Sequence, residues 1–165
     1  MGRSHFELLF NQLACQLEDK KTSAPFATNF EMDRLSELAN LIAMSSLKEA
    51  DFEKCERYLK RADRYSRHSM HMLLATHNNW SCYYKKAGNS NMALAHINKA
   101  IKLAKQIEQS AKEQNKHTRV KLLGDCYLNL CVVLSTFGEH SEALRYVDMA
   151  ISRFEGDLEE ILHNR

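Results

Sequence analysis

Proline occurs once and glycine five times in 165 residues. So few breakers exclude a loop-rich architecture and favour long helices joined by short turns. No segment sustains a period-two alternation of apolar and polar residues, which argues against strands. Cysteine is short of pairs. Cys15, Cys55, Cys82, Cys126 and Cys131 make an odd count, and none stands in a CxxC spacing. They read as free, mostly buried thiols in a reducing compartment, not as a disulfide framework. No apolar run approaches a membrane span, and the first residues lack a signal-peptide core. After Gly2, Phe6 stands where a myristoylation motif needs Ser or Thr. These absences predict a soluble chain of a reducing compartment, cytoplasmic or cytoskeleton-associated.

What is present is a core. Hydrophobic residues make up 44% of the chain, and this length suffices for one domain with a buried interior. The pattern inside it repeats. From Ala93, Ile97 and Ala100 follow at plus four and plus seven, one stripe of a helix. Gly88 lies five residues before that anchor, and Trp80, Ser81 and Tyr84 form an earlier stripe. From Ala143 the same offsets give Val147 and Ala150, then Gly138, then Leu130, Cys131 and Leu134. From Cys55 they give Leu59 and Ala62, then Ala50, then Ile42, Ala43 and Ser46. Small residues recur beside large ones because two antiparallel helices approach closely only where small side chains face large ones. Gly88 and Gly138 suit a helix end that needs positive φ. Asp51, Ser90 and Ser141 offer N-caps for the second helices.

This pattern resembles the tetratricopeptide repeat family over roughly residues 35 to 157. The second copy fits the family signature at Trp80, Ser81, Tyr84, Gly88, Ala93, Ile97 and Ala100. The first departs from it, with Ser46 for an aromatic and Ala50 for the turn glycine. The resemblance implies an all-α solenoid of antiparallel helix–turn–helix units, about three repeats, at 35–68, 69–117 and 118–157 within a domain spanning 30–165. The anchors stand 38 and 50 residues apart, against a usual repeat of about 34. The longer second interval predicts a protruding hairpin, its tip near Asn115 to Thr118. Divided over two helices, the excess projects by about 12 Å. Long helices and the pair Asn78–Asn79 also resemble kinesin light chain-type repeats.

The ends differ. Phe6, Leu9, Phe10, Leu13 and Leu17 give an N-terminal amphipathic helix within 1–19, expected to cap the first repeat. Residues 20–29 read as a linker. Asp157 and Glu160 have capping-box spacing and predict a short C-terminal capping helix over 158–163.

Catalytic motifs are missing. There is no phosphate-cradling glycine loop, nucleophile elbow or metalloprotease signature. His68 and His71 are one helical turn apart, and they read as surface or packing residues, not as ligands. Neither enzyme activity nor a cofactor or metal is expected, and no small-molecule substrate.

A non-catalytic protein–protein interaction scaffold is the favoured function. In the family the first helices of each pair line a concave groove that binds a peptide or helical segment. Carried over residue by residue, that lining includes Asn40, Met44, Asn78, Asn79, Cys82, Lys85, Lys86, Leu128, Asn129 and Val132. Asparagines both donate and accept, which suits an extended backbone. Asn79 fits the carboxylate-clamp pattern of related chaperone-tail binders. Asn40, Met44, Asp125 and Asn129 stand where the other clamp residues would be, so capture of a chaperone C-terminus is not expected.

Charge supplies an alternative. Residues 1–50 carry a net −2, residues 51–121 a net +9 and residues 122–165 a net −5. Arg57, Arg61, Arg64 and His68 can share one helix face. Lys105, Lys112, Lys116, Arg119 and Lys121 would lie on the protruding hairpin. The alternative is a polyanion-binding module using this basic middle segment. Without the aromatic interleaving of single-strand binders, nucleic acid is disfavoured, and an acidic protein is the expected partner of this face.

Overall fold

The computed structural model describes residues 5–21, 28–110 and 116–163, with side chains for 5–16, 28–109 and 123–155. The described residues form seven α-helices and one 3-10 turn, with no strand among them. The helices are α1 (His5–Lys21), α2 (Asn29–Lys48), α3 (Phe52–Tyr65), α4 (Met70–Lys86), α5 (Ser90–Ser110), α6 (Lys116–Thr136) and α7 (His140–His163), with the 3-10 turn at Ser66–His68. The chain divides into two compact units, Met1–Asn79 and Trp80–Arg165. The protein is thus an all-α helical repeat. Linker residues 22–27, with the single proline, lie outside the described residues.

In the first unit α2 and α3 form a helical hairpin. Leu35, Ala39, Ile42, Ala43 and Leu47 of α2 are buried with Cys55, Tyr58, Leu59 and Ala62 of α3. α1 packs on α2 and reaches α3 through Phe10, whose ring meets Tyr58 edge-on at 5.5 Å and Tyr65 at 6.2 Å. Buried Glu7 adds a salt bridge to Lys54 at 3.0 Å. The linker ends at Thr28, which caps α2 reciprocally with Glu31: the Thr28 hydroxyl accepts from the Glu31 N–H, and the Glu31 carboxylate accepts from the Thr28 N–H.

In the second unit the repeat register holds at the core. Ala93, Ile97 and Ala100 of α5 are fully buried, as are Ala143 and Ala150 of α7, while Val147 and Cys131, expected on the same stripes, are only half-buried. Their counterparts in the first unit, Cys55, Leu59 and Ala62, are buried too. α6 packs on both α5 and α7, with Leu123, Cys126, Tyr127, Leu130, Val133 and Leu134 turned inward. Arg153 of α7 forms an ion pair with Glu108 of α5. Ser81 is buried, and its hydroxyl has no hydrogen-bond partner among the described residues, which suits a position that needs a small side chain.

The three turns between α2 and α3, α4 and α5, and α6 and α7 share one hydrogen-bond pattern. After α2 the Asp51 N–H donates to Ser46 O at 2.9 Å and the Ala50 N–H to Leu47 O at 3.2 Å. After α4 Asn89 donates to Tyr84 O and Gly88 to Lys85 O. After α6 Glu139 donates to Leu134 O and Gly138 to Ser135 O. These paired bonds satisfy the last carbonyls of each first helix and require a left-handed residue at the same place. Gly88 and Gly138 supply it at φ 79° and 78°, and Ala50 adopts φ 60° there. An L residue in that region bears a penalty of about 1–2 kcal/mol, which glycine avoids at some expense in unfolded-state entropy. Ala50→Gly is therefore expected to raise stability by about 0.5–1 kcal/mol. A denaturation midpoint that fell would contradict the strain assigned to this turn.

The same geometry corrects two expected caps. The residue that closes the first helix also opens the second. Asp51 does so as expected, accepting from the Lys54 N–H at 3.0 Å. Before α5, however, the cap is Asn89, whose Oδ1 accepts from the Met92 N–H at 3.1 Å. Ser90 is the first helical residue instead, and its Oγ accepts from the Thr136 hydroxyl at 3.0 Å. Before α7 the Ala143 N–H donates to Glu139 O, so Ser141 lies inside the helix. Asp51, Asn89 and Glu139 occupy one register position.

The long interval is built from helix. α5 and α6 have 21 residues each, against 20 in α2, 14 in α3, 17 in α4 and 24 in α7, so helix length alone does not set them apart from every neighbour. Lys116 to Thr118 belong to α6 and not to the hairpin tip, and residues 111–115, with Lys112, lie outside the described residues. The capping helix expected over 158–163 is not a separate element. α7 runs unbroken for 24 residues through Gly156 to His163. One helix-interior glycine costs only about 1 kcal/mol, and the good helix formers around it, Glu155, Leu158 and Glu159, carry the backbone past it.

Candidate functional site

The first helices of the repeats are α2, α4 and α6, and the residues carried over from the family lie on them. The two units present different chemistry.

In the first unit a hydrogen-bonded chain joins α2 to the first part of α4. Asn40 is 7% exposed. Its Nδ2 donates to Thr76 Oγ1 at 2.9 Å and to Ser36 O, one turn back, at 3.1 Å. Its Oδ1 accepts from Asn79 Nδ2 at 2.8 Å. Three capacities of one buried amide are thus used, which fixes its orientation and the spacing of the two helices. Asn40 is committed to this network and offers no open edge to a ligand. Asn79 is half-buried and bound to it, so its Nδ2 is committed as well. Asn78 and Met44 are half-buried beside them. Thr76 and Ser36 were not anticipated as partners of Asn40. The i, i+4 spacing of Ser36 and Asn40, and of Ser46 behind Ile42, was the available signal for polar side chains returning to their own helix backbone.

In the second unit the face is more apolar. Asp125, Leu128, Asn129 and Val132 of α6 fall on one stripe at i, i+3, i+4 and i+7. It lies opposite the buried set that begins at Leu123 and Cys126. Leu128 is 40% exposed and Val132 42%, while Asp125 and Asn129 are half-buried. On the end of α4, Cys82 and Lys85 are half-buried and Lys86 is exposed. Burial pushes the Cys82 thiol up from its ordinary value, with Lys85 pulling partly back. Burial, with Asp125 and Cys82 adding to it, pushes the Cys126 thiol up to about 12. Both thiols stay protonated at neutral pH, which suits packing and not nucleophilic attack.

Trp80 is not part of any open surface. It is 4% exposed and stacks on Tyr84 at 5.4 Å, with Tyr83 edge-on at 5.5 Å and His96 of α5 tilted at 5.8 Å. Of the basic hairpin set, Lys105 is exposed on α5. The side chains of Lys116, Arg119 and Lys121 lie outside the described residues, and Lys112 lies wholly outside them. Among the described residues no three His, Cys, Asp or Glu side chains converge on a point where a metal could sit. No helix among them is long and apolar enough to cross a membrane.

Against known protein families, the model described as Tetratricopeptide repeat protein 21 ARM repeat matches residues 71–162, more than half of the chain. The match bears out the tetratricopeptide-type repeat and lends nothing to the narrower likeness to kinesin light chain repeats. Searches of curated proteins and of solved structures returned no match.

Proposed function

The chain belongs to the Tetratricopeptide repeat protein 21 ARM-repeat family, and from that premise we propose that it is a non-catalytic interaction scaffold that docks a peptide or helical segment of a protein partner on its first helices, within a larger assembly. The observation that carries this reading is the pair Leu128 and Val132. Two large apolar side chains one turn apart stand open on the first helix of a repeat. About two-fifths of each remains exposed, so completing its burial against a partner contributes roughly 1 kcal/mol each, that share of the full-burial range. Asn40, Asn79 and Thr76 take a supporting role in this reading, because they hold α2 and α4 at a set spacing. The five thiols fit a reducing compartment, cytoplasmic or cytoskeleton-associated.

The test is a titration of the partner against Leu128→Gln/Val132→Gln. Both positions are solvent-facing, so melting should change little. Affinity should fall at least tenfold, since about 1.4 kcal/mol is a factor of ten. Unaltered affinity would remove the docking role of α6. Replacement of Asn79 is a poorer probe, because it would leave the buried Asn40 carbonyl unpaired and lower stability as well.

The alternative, a polyanion-binding module on the basic middle segment, is favoured by a cleft on α3. Salt separates the two readings: apolar docking is screened weakly and charge pairing strongly.

A further inference from the structure

α3 carries a cleft of about 360 Å³ lined by Glu53, Glu56, Arg57, Lys60, Arg61 and Arg64. Its cations are not equivalent. Lys60 is paired with Glu56 at 2.7 Å. The three arginines have no carboxylate partner among the described residues, yet two of them are held in place. The Arg61 guanidinium lies 5.3 Å from the Phe10 ring centroid and 5.1 Å from that of Tyr58. Arg57 lies 5.8 Å from Tyr58 on the same ring system. That platform is itself fixed, because Phe10 and Tyr58 are buried against each other. A guanidinium stacked on an aromatic face keeps its N–H edge available and loses little freedom when it binds an anion.

We propose that Arg57, Arg61 and Arg64 form a docking cleft for a short acidic segment of a protein partner, gripping its side-chain carboxylates. The proposal deepens the polyanion reading by naming a site and a ligand class, and it is independent of docking on α6. Geometry sets the length of the ligand. Positions i, i+4 and i+7 span about 10 Å of helix axis, and an extended peptide covers that in about three residues. Two or three carboxylates close together in sequence therefore reach all three arginines. Charge sets the class. Glu53 and Glu56 line the N-terminal end of the same cleft and would repel a long, uniformly charged strand running through it. That favours a short acidic run of a protein over a nucleic acid. Arginine matches carboxylates in a two-pronged geometry, which gives specificity beyond charge.

The experiment is a fluorescence anisotropy titration of the whole chain with a short poly-glutamate peptide. A poly-lysine peptide and an oligothymidine serve as parallel probes, and amide NMR shifts report where each binds. The poly-glutamate peptide is expected to bind with a steep salt dependence and to shift amides of α3. Arg57→Gln/Arg64→Gln should weaken it at least about tenfold, with melting unchanged. Arg64→Gln alone, at an exposed position without a stacking partner, should weaken it several-fold and covers the case in which the double variant unfolds. Absence of binding, equal affinity in both variants, or tighter binding of oligothymidine would overturn the cleft. Shifts confined to α5 and α6 would also overturn it while leaving a polyanion surface on the hairpin intact. Loss of α6 docking in the Leu128→Gln/Val132→Gln variant would leave this titration unchanged.

Discussion

Trp80→Ala is expected to lower stability by ~3–5 kcal/mol, the range for truncating a buried aromatic in a packed core. The ring is almost wholly enclosed and has three aromatic neighbours, Tyr83, Tyr84 and His96. Such pairs contribute about 0.5–1.5 kcal/mol each beyond the area they bury. Ser81 and Ala93, the small residues of the same repeat, are themselves buried. Tyr84 and His96 also contact each other at 5.4 Å, so removing the indole leaves both rings without their common neighbour. Chemical denaturation followed by circular dichroism gives the number directly. An unchanged midpoint would contradict the packing role and, with it, the register of the second repeat.

Gly124 is the second sensitive position. A Cβ placed there would sit 2.6 and 2.8 Å from two ring carbons of Phe154 and 3.2 Å from a third. α6 and α7 thus meet glycine to ring, and Gly124 serves close approach, since no positive φ is involved. The outer end of a phenylalanine can yield to one methyl group, and alanine also gains about 1 kcal/mol of helix propensity. Gly124→Ala should therefore be nearly neutral. Gly124→Leu cannot be absorbed in the same way and is expected to cost about 1–3 kcal/mol. Adding Phe154→Ala to it should recover part of the loss, a non-additivity expected of side chains in direct contact. Strict additivity in a double-mutant cycle would show that the two residues do not share the contact.

Much of the fold was legible because repetition tests itself. A single stripe such as Ala93, Ile97 and Ala100 is weak, but its return at Cys55 and Ala143 with a turn residue at the same offset fixes helix type, pairing and core together. The turn at Ala50 was legible as a position and not as a strain, because only coordinates give φ. The caps at Asn89 and Glu139 were missed for a physical reason. Asparagine caps a helix as well as serine does, so residue type could not choose between Asn89 and Ser90, and at both turns the backbone decides by placing the preceding residue with its N–H on the first helix and its carbonyl on the second. The unbroken α7 was missed because capping-box spacing at Asp157 carries no information about whether the preceding helix has ended. Gly124 stood unexplained within an apolar helix, and the available signal was its cost in propensity, which a close approach justifies.

The candidate site was less legible. Asn40 and Asn79 are hydrogen-bonded to each other in the first unit, but sequence cannot tell an amide that faces a ligand from one that faces Thr76. Leu128 and Val132 could be placed on α6 by spacing. Their exposure depends on which side the buried stripe takes, and that is a property of packing. The arginines of α3 were recognised as one face. Their stacking on Phe10 and Tyr58 required the position of α1, a helix far from them in sequence.

Mapping where a partner touches the chain tests docking on the first helices most directly. The partner is isolated by affinity capture on the whole chain, lysine cross-links are formed, and the linked residues are read by mass spectrometry. Links at Lys85 and Lys86 of α4, lost in Leu128→Gln/Val132→Gln, are the expected result. Links confined to Lys99, Lys102 and Lys105 of α5, and unchanged in that variant, would contradict it.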